Sequence, residues 1–313
     1  MDVAIRPLRE GDLPAADRIM RLAFGTFVGT PDPLAFMGDA DYVRTRWSAD
    51  PSAAFAAEID GELAGSNFVT RWGSVGFFGP LTVRPDLWDR GVGRLLLEPI
   101  MATFDAWGTR HAGLFTFAHS PKHLALYGRF GFAPRFLTSV MSRPVAAEVR
   151  AVPWSRYSEL SEDEKRVSLD ACRELTDAIY PGLDVQHEIT AVDSQGLGDT
   201  ILLWDGSRPI GFAVCHCGPG TEAGSGVCYV KFGAARPGET AAETFERVVD
   251  ACEAFAASQS LSRLVAGVNT GRYEAYRQLL TRGFRADFVG VAMHRDNDPG
   301  YNRPKVYVVD DWR

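Results

Sequence analysis

The residue types and spacings best suited to chemistry in this sequence lie in one turn, between Val83 and Arg94. Pro85 interrupts a predicted strand that ends at Val83, and Gly91 and Gly93 open a predicted helix. Glycines here let the backbone approach a ligand closely, and the free N–H groups of a helix's first turn point at it. With the helix dipole added, the turn suits an anion such as a pyrophosphate. The residues expected to bind it are Trp88, Asp89, Arg90, Gly91, Val92, Gly93 and Arg94.

Two other nucleotide-binding motifs do not fit this turn. A dinucleotide fingerprint needs a third glycine at the position that Leu96 occupies. A P-loop ends in Gly-Lys-Ser or Gly-Lys-Thr, and neither occurs in the sequence. The structural alternative is a tight turn with a glycine helix entry and no ligand, in which Arg90 and Arg94 are solvated surface charges.

The turn resembles the pyrophosphate loop of the GCN5-related N-acetyltransferase (GNAT) family, which reads V-x-P-x-x-[Q/R]-x-x-G-x-[G/A]. The residues in register with it are Val83, Pro85, Gly91 and Gly93. Trp88 departs from the pattern, because the family prefers Gln or Arg at that position. Since backbone amides make most of the contacts in such a loop, the substitution still allows binding.

A second block strengthens the resemblance. The family motif L-Y-x-x-x-G-F appears here as Leu126, Tyr127, Gly131 and Phe132. Two separate blocks at a plausible spacing identify the first half of the chain as similar to a GNAT domain. The second half carries the same pattern in degraded form.

The resemblance implies an acetyl-coenzyme A-dependent N-acyltransferase that passes an acetyl group directly to an amine of a small molecule or peptide. Backbone near Leu81, Thr82 and Val83 would hydrogen-bond to the acyl thioester. Tyr127 would act as the general acid that protonates the departing thiolate, and Ser120 would contact the pantetheine arm. A second interpretation is that Tyr127 only packs its helix on the sheet.

Several points of mechanism stay open at the sequence level. The general base is undecided among Glu58, Asp32, Asp39 and Asp41. We interpret His119 and His123 as structural or wall residues. An acyl-coenzyme A sensor and a non-catalytic interaction protein are the alternative functions; retention of Tyr127 argues against a sensor, which needs no proton donor.

An internal repeat organises the chain. Pro85 and Phe132 are 47 residues apart, and Pro237 and Phe284 have the same separation. Hairpin turns at Asp60-Gly61 and Asp205-Gly206 precede the two units. We therefore predict an α/β fold of the α+β type with mixed sheets, built from two tandem GNAT-type domains at residues 1–145 and 146–313. The segment at 145–155 is the expected boundary.

The second unit is predicted to be degenerate. Aligning the prolines of the two repeats places Glu243 and Phe245 where the first unit has its loop glycines. Aligning the Gly-Phe pairs places Leu279 at the position of the tyrosine. A carboxylate and a bulky ring oppose phosphate binding, so the second unit should serve as a scaffold and a wall of the acceptor pocket.

The elements expected to position the first site follow from periodicity and turn signals. Hairpin strands are predicted at 54–59 and 65–71, a further strand at 76–83, and a helix from 93 to 107. A short strand at 113–118 and a helix at 121–129 complete the unit. The segment VYVVDDWR is predicted to form a final strand whose Trp and Arg dock on the body of the protein.

Composition limits the possible partners. The formal net charge is −7 with no basic block, so we expect no nucleic acid partner. No apolar run is long enough to span a membrane, and the N-terminus lacks the features of an export signal, which favours the cytoplasm. Five cysteines, an odd number without an export signal, favour reduced thiols. Cys215-His216-Cys217 invites a metal-site interpretation, but no second ligand pair at zinc spacing follows, so we expect buried core cysteines and no metal. The protein is expected to be a monomer or a homodimer.

Overall fold

Helices cover both faces of one large mixed sheet in this protein, whose computed structural model describes residues 2–146, 150 and 152–313. The helices are α1 (Leu13–Val28), α2 (Tyr42–Ala49), α3 (Val92–Trp107), α4 (Pro121–Gly128), α5 (Glu162–Ile179), α6 (Gln186–Gln195), α7 (Ala241–Ser258) and α8 (Tyr273–Thr281). The strands are β1 (Ala4–Pro7), β2 (Ala54–Ile59), β3 (Glu62–Trp72), β4 (Val75–Phe78), β5 (Thr82–Val83), β6 (His111–Thr116), β7 (Phe132–Pro144), β8 (Ser155–Arg156), β9 (Gly198–Asp205), β10 (Arg208–Gly218), β11 (Gly224–Ala235), β12 (Arg263–Asn269), β13 (Arg285–Arg295) and β14 (Val308–Val309).

The two halves repeat the same arrangement of elements. In the first half β4 and β6 pair in parallel, with α3 as the connecting helix. In the second half β11 and β12 pair in parallel, with α7 between them. An antiparallel hairpin precedes each parallel pair, β2 with β3 and β9 with β10. These pairings confirm the predicted α/β fold with mixed strand directions.

The last long strand of each half is exchanged with the other half. β7, from the first half, lies between β12 and β13, and β13 lies between β7 and β6. The strands therefore run in the order β1-β2-β3-β4-β6-β13-β7-β12-β11-β10-β9-β8 through a single sheet. The division at 145/146 stays a sequence prediction, and residues 147–149 and 151 of the expected boundary lie outside the described residues.

The predicted strand at 76–83 is wrong in one respect. It is broken at Gly79, Pro80 and Leu81 into β4, which pairs with residues 69–72 of β3, and β5, which pairs with residues 65–66. Pro80 has no N–H to donate to a sheet ladder, so the strand cannot continue through it. The other predicted elements of this half lie within a few residues of their observed bounds.

Four helices have no counterpart in the sequence prediction. They are α1, α2, α5 and α6, and they pack on the sheet face opposite α3 and α7. At the end of the chain only Val308 and Val309 form a strand, while Trp312 and Arg313 dock on the body as expected. No helix in the described ranges combines the length and apolar character needed to cross a bilayer.

Candidate active site

The break after β4 leaves backbone groups free at the edge of the sheet. β6 pairs with β4 only as far as Phe78 opposite Leu114, so β5 has a neighbour on one side alone among the described residues. Arg84 N–H donates to the carbonyl of Ala64, which places the pair 84/64 in the hydrogen-bonded register. Because this register alternates along an antiparallel ladder, Val83 turns its N–H and C=O away from β3. That edge can receive an extended ligand.

The N-terminus of α3 is open beside this edge. Gly91 is its N-cap residue with φ of 84°, a left-handed conformation that favours glycine. Across the described chain, the N–H groups of Val92 and Gly93 meet no acceptor, and no side chain caps the helix. A Cβ at Gly91 would have no heavy atom within 4 Å, so the space in front of the helix is free. Free N–H groups, the helix dipole and open space together fit a pyrophosphate.

Trp88 and Lys122 define one side of this anion site. Trp88 Nε1 donates to the Val83 carbonyl at 2.9 Å, so the residue that departs from the family pattern holds the loop against β5. The Lys122 ammonium lies 5.6 Å from the centre of the Trp88 ring and 2.6 Å from an Asp89 carboxylate oxygen. Arg90 is exposed at the mouth of the site. Sequence reasoning missed Lys122, because α4 reaches the loop only in the folded chain.

The other predicted cofactor residues lie in the same region. Arg94 is exposed and 3.5 Å from Glu98. Thr82 is buried, with its hydroxyl 3.4 Å from that of Ser66. Ser120 is the N-cap of α4, and its hydroxyl accepts a hydrogen bond from the N–H of His123 at 3.4 Å. Ser120 is therefore already engaged as a helix cap at the position where the resemblance expects a pantetheine contact.

Tyr127 lies on α4 and faces a central cavity. Its side chain is buried, and its ring packs against Phe78 with centroids 5.6 Å apart. Burial raises the pKa of the Tyr127 phenol, which a hydrogen bond with the Thr116 side chain partly offsets. The phenol is therefore protonated at neutral pH and can donate a proton.

The central cavity has a volume of about 560 Å³ and extends from the β4–β6 gap over the sheet where the two halves join. Residues from both halves line it. From residues 1–145 these include Met20, Phe24, Phe36, Met37, Tyr42, Leu81, Thr116, Phe117, His123, Tyr127 and Val140. From residues 146–313 they include Glu222, Val227, Tyr229, Arg263, Val265, Asp287, Phe288, Trp312 and Arg313.

His123 lines the cavity one helical turn before Tyr127. It lies among aromatic rings, with its centroid 4.9 Å from Phe27 and 6.4 Å from Tyr127. Burial lowers the pKa of His123, as do the nearby Lys122 and His119. His119 stacks on Phe27 with centroids 5.7 Å apart. Both histidines are thus part of the cavity wall or of its packing, as the sequence analysis interpreted them.

The carboxylates proposed as bases from the sequence lie outside the cavity lining. Glu58 forms an ion pair with Arg6 at 2.8 Å. Asp32 and Asp41 accept hydrogen bonds from backbone N–H groups at helix starts. Asp39 binds the hydroxyl and the N–H of Ser225. Each carboxylate has a structural role.

The carboxylates that do line the cavity come from the second half of the chain. Glu222 is fully buried, and Arg46 Nε and Lys231 Nζ both lie 2.8 Å from its Oε1. Burial alone would raise the pKa of Glu222, but the two cations outweigh it and hold that pKa well below its usual range. Asp287 pairs with Arg263 at 2.7 Å. Sequence reasoning could not find these residues, because the fold alone brings them to the site.

The second half has different groups at the equivalent positions. Glu243 lies in the first turn of α7, where the first half has its free N–H groups. Phe245 and Leu279 are fully buried in the core of this half. Phe245 and Leu279 thus have structural roles, and Glu243 carries a charge that opposes phosphate binding.

Comparisons with known proteins place these features in context. Residues 18–132 match the acetyltransferase (GNAT) family. The fold is similar to that of a candidate acetyltransferase from Pyrococcus horikoshii, with 12% identity and a TM-score of 0.69. The similarity covers 99% of this chain and 95% of the Pyrococcus chain. A GCN5-related N-acetyltransferase from Sphaerobacter thermophilus is similar over 95% and 96% of the two chains, with 15% identity and a TM-score of 0.61.

A tandem GNAT protein from the clavulanic acid biosynthesis pathway is similar over 96% of this chain and 100% of its own, with 12% identity and a TM-score of 0.59. At these identities the likeness concerns the fold. A search of curated protein sequences gives no significant match.

Proposed function

We propose that this chain, whose residues 18–132 match the acetyltransferase (GNAT) family and whose fold is similar to that of a tandem GNAT protein, transfers the acetyl group of acetyl-coenzyme A to an amine. The active site of this proposal lies in residues 1–145, and residues 146–313 supply a degenerate unit that completes the cavity. The observation that carries the proposal is continuity. A Cβ at Gly93, in the open N-terminus of α3, would lie 3.9 Å from the Val83 side chain and 3.7 Å from that of Leu126. Leu81, just before β5, and Tyr127, next to Leu126, both line the cavity, so the path runs from the helix N-terminus past β5 to the phenol.

In the proposed complex each part of this path has one task. The N–H groups of Val92 and Gly93 bind the pyrophosphate, with Arg90 and Lys122 nearby as counter-charges. The Val83 N–H on the free edge of β5, with the backbone of Leu81 just before the strand, hydrogen-bonds the extended arm and the acyl oxygen, while the Val83 carbonyl keeps its hydrogen bond from Trp88. Acetyl-coenzyme A supplies the acyl group as an activated thioester.

Tyr127 has the chemical role in this proposal. As the amine nitrogen bonds to the acyl carbon and the carbon–sulfur bond breaks, the Tyr127 hydroxyl gives its proton to the departing thiolate. Its raised pKa keeps that proton in place at neutral pH. The proton lost by the amine then restores the phenol, directly or through water, so atoms and charges balance over one turnover.

The test is calorimetric titration of acetyl-coenzyme A into the wild type and three variants. Gly91→Glu places a carboxylate in front of the helix N-terminus and should abolish binding. Gly108→Glu is the matched control, because Gly108 caps the other end of α3, has φ of 62°, and also has open space around a Cβ. Tyr127→Phe should bind normally.

The outcomes separate the candidate functions. Binding of one equivalent that is lost only in Gly91→Glu supports the proposed cofactor site. Failure of the wild type to bind would refute the proposal and favour an interaction protein. If the wild type and Tyr127→Phe both bind acetyl-coenzyme A normally but neither releases coenzyme A when an amine is added, the result would instead favour an acyl-coenzyme A sensor.

A further inference from the structure

The floor of the central cavity is an apolar surface that only the strand exchange creates. Val140 on β7 lies opposite Phe288 on β13, and Tyr229 on β11 lies opposite Val265 on β12. Val140, Tyr229 and Val265 are buried and form one cluster with Phe288 packed against them. The floor is continuous because β7 and β13 lie side by side at the junction of the halves.

The wall facing this floor is apolar as well. It comes from α1 and the segment that follows it, with Met20, Phe24, Phe36 and Met37. Aromatic rings therefore border the cavity on both sides. A ligand with a flat apolar body can pack on both surfaces, since aromatic groups gain from burial and from edge or offset contacts with other rings.

The charged groups of the cavity are already neutralised by the protein. Glu222 is bound by two cations, and Asp287 is paired with Arg263. Arg313 lies over the Tyr229 ring, 3.8 Å from its centre, and its Nε is 3.4 Å from Asp311. A polycationic acceptor would thus bury several ammonium groups without free carboxylates to pair with them, which is costly.

Among the cavity-lining residues that the structure describes, four buried polar atoms lack a hydrogen-bond partner: the Tyr42 hydroxyl, His123 Nδ1, Trp312 Nε1 and Arg313 Nε. The hydroxyl of Tyr42 is inaccessible to solvent and has no hydrogen-bond partner among the residues that the structure describes. The side chain is 5% exposed. A buried hydroxyl without a partner is uncommon and offers a bond to one polar group of a ligand.

Resting on the proposed function, we infer that the acceptor is a primary monoamine with an aromatic body. The ring packs on the floor formed by Val140, Val265, Tyr229 and Phe288, and the Tyr42 hydroxyl hydrogen-bonds to the amine. The charges nearest the Tyr42 hydroxyl are two cations, Arg46 and Arg313, and two carboxylates, Glu222 and Asp311, which oppose one another in their effect on a bound amine. Desolvation then disfavours the ammonium form of the amine and assists the loss of the proton that must precede attack.

The test compares phenethylamine and tryptamine with spermidine and glycinamide, using release of the coenzyme A thiol as the readout. We expect the aromatic amines to have a kcat/KM at least about tenfold higher, a difference that a few desolvated contacts can supply. Val140→Trp places a larger side chain in the space above the floor and should lower kcat/KM for phenethylamine by roughly tenfold or more. Leu137→Trp is the matched control, on the same strand but 51% exposed and outside the cavity lining.

Tyr42→Phe removes only the hydroxyl and should raise KM for phenethylamine by roughly 2- to 10-fold, the range for one neutral hydrogen bond. Acetyl-coenzyme A is titrated into every variant, so an unchanged dissociation constant shows that the fold and the cofactor site persist. This inference would be overturned if spermidine or glycinamide were the better acceptor, or if Val140→Trp left kcat/KM for phenethylamine unchanged. Either result would leave the acetyltransferase proposal standing. Absence of acetyl-coenzyme A binding in the wild type would overturn both.

Discussion

A buried network of charges joins the two halves of the chain next to the cavity. Arg46 on α2 contacts Glu222, between β10 and β11, and Lys231 on β11 contacts the same carboxylate. Lys231 is also 3.2 Å from Glu188 on α6. The side chains of Arg46, Glu222 and Lys231 are exposed by only 4%, 0% and 7%. Each charge therefore depends on its partners rather than on water.

Replacing Glu222 by Leu should be severely destabilising. The substitution leaves Arg46 and Lys231 buried with one carboxylate, Glu188, in place of two. Removing one partner of a buried ion pair costs about 3–5 kcal/mol, because the other charge stays desolvated without compensation. Domains are stable by only about 5–15 kcal/mol, so this loss is a large share of the free energy of unfolding.

Urea unfolding of the wild type and the variant measures this loss. The double variant Arg46→Met/Glu222→Leu removes one charge of each sign and keeps Lys231 with Glu188, so it should recover a substantial part of the stability. Asp163→Ala is the control, because its ion pair with Arg166 is solvent-exposed and should have no measurable effect. A loss below about 1 kcal/mol in Glu222→Leu, or strictly additive losses in the double variant, would refute the reasoning.

Three further predictions concern catalysis, pH and packing. Tyr127→Phe should lower kcat by roughly 10²- to 10⁴-fold with unchanged acetyl-coenzyme A affinity; a smaller effect in thiol-release kinetics would assign the phenol to packing. Burial lowers the pKa of His111 to about 4, below its unfolded value of 6.5, so the unfolded state binds more protons between those values. Protonation of His111 should therefore contribute a loss of up to ~3 kcal/mol in the free energy of unfolding from about pH 6.5 to about pH 4, and the neighbouring His294, whose pKa burial also lowers, acts in the same direction. Urea midpoints of His111→Gln should show a weaker dependence on pH than those of the wild type. Gly267→Ala should cost about 1–3 kcal/mol because its Cβ would collide with Asp311 and displace the C-terminal segment. Gly11→Ala, with open space around its Cβ, should be nearly neutral when both variants are compared by urea unfolding.

Local elements of the first half could be predicted because their signals are local. The helix expected at 93–107 begins at Val92 and ends at Trp107, since its apolar spacing and its glycine N-cap lie within the segment itself. The sequence analysis missed the break in the strand at 76–83, although Gly79-Pro80 is a poor strand sequence and gave a local signal for it. Lys122 beside Asp89 was not readable, because α4 reaches the loop only in the folded chain.

The general base shows the limit of local reasoning at the site. The carboxylates near the loop in sequence, such as Glu58 and Asp39, are engaged in ion pairs or hydrogen bonds elsewhere. Glu222 and Asp287 reach the cavity from the second half, more than 90 residues after Tyr127. No local sequence pattern connects residues so far apart, because tertiary contacts, and not the number of intervening residues, bring them together.

The sequence by itself determined the family resemblance, the repeat and the loop at Val83–Gly93, because glycine conformation, helix periodicity and turn residues act over a few neighbours. Tertiary structure alone decided that β7 and β13 change places, and with them the floor of the cavity. Phe288 lies beside Val140 although 148 residues separate them in the chain. Strand partners at that distance are chosen by the burial of whole faces and by the closing of the sheet, which no short segment encodes.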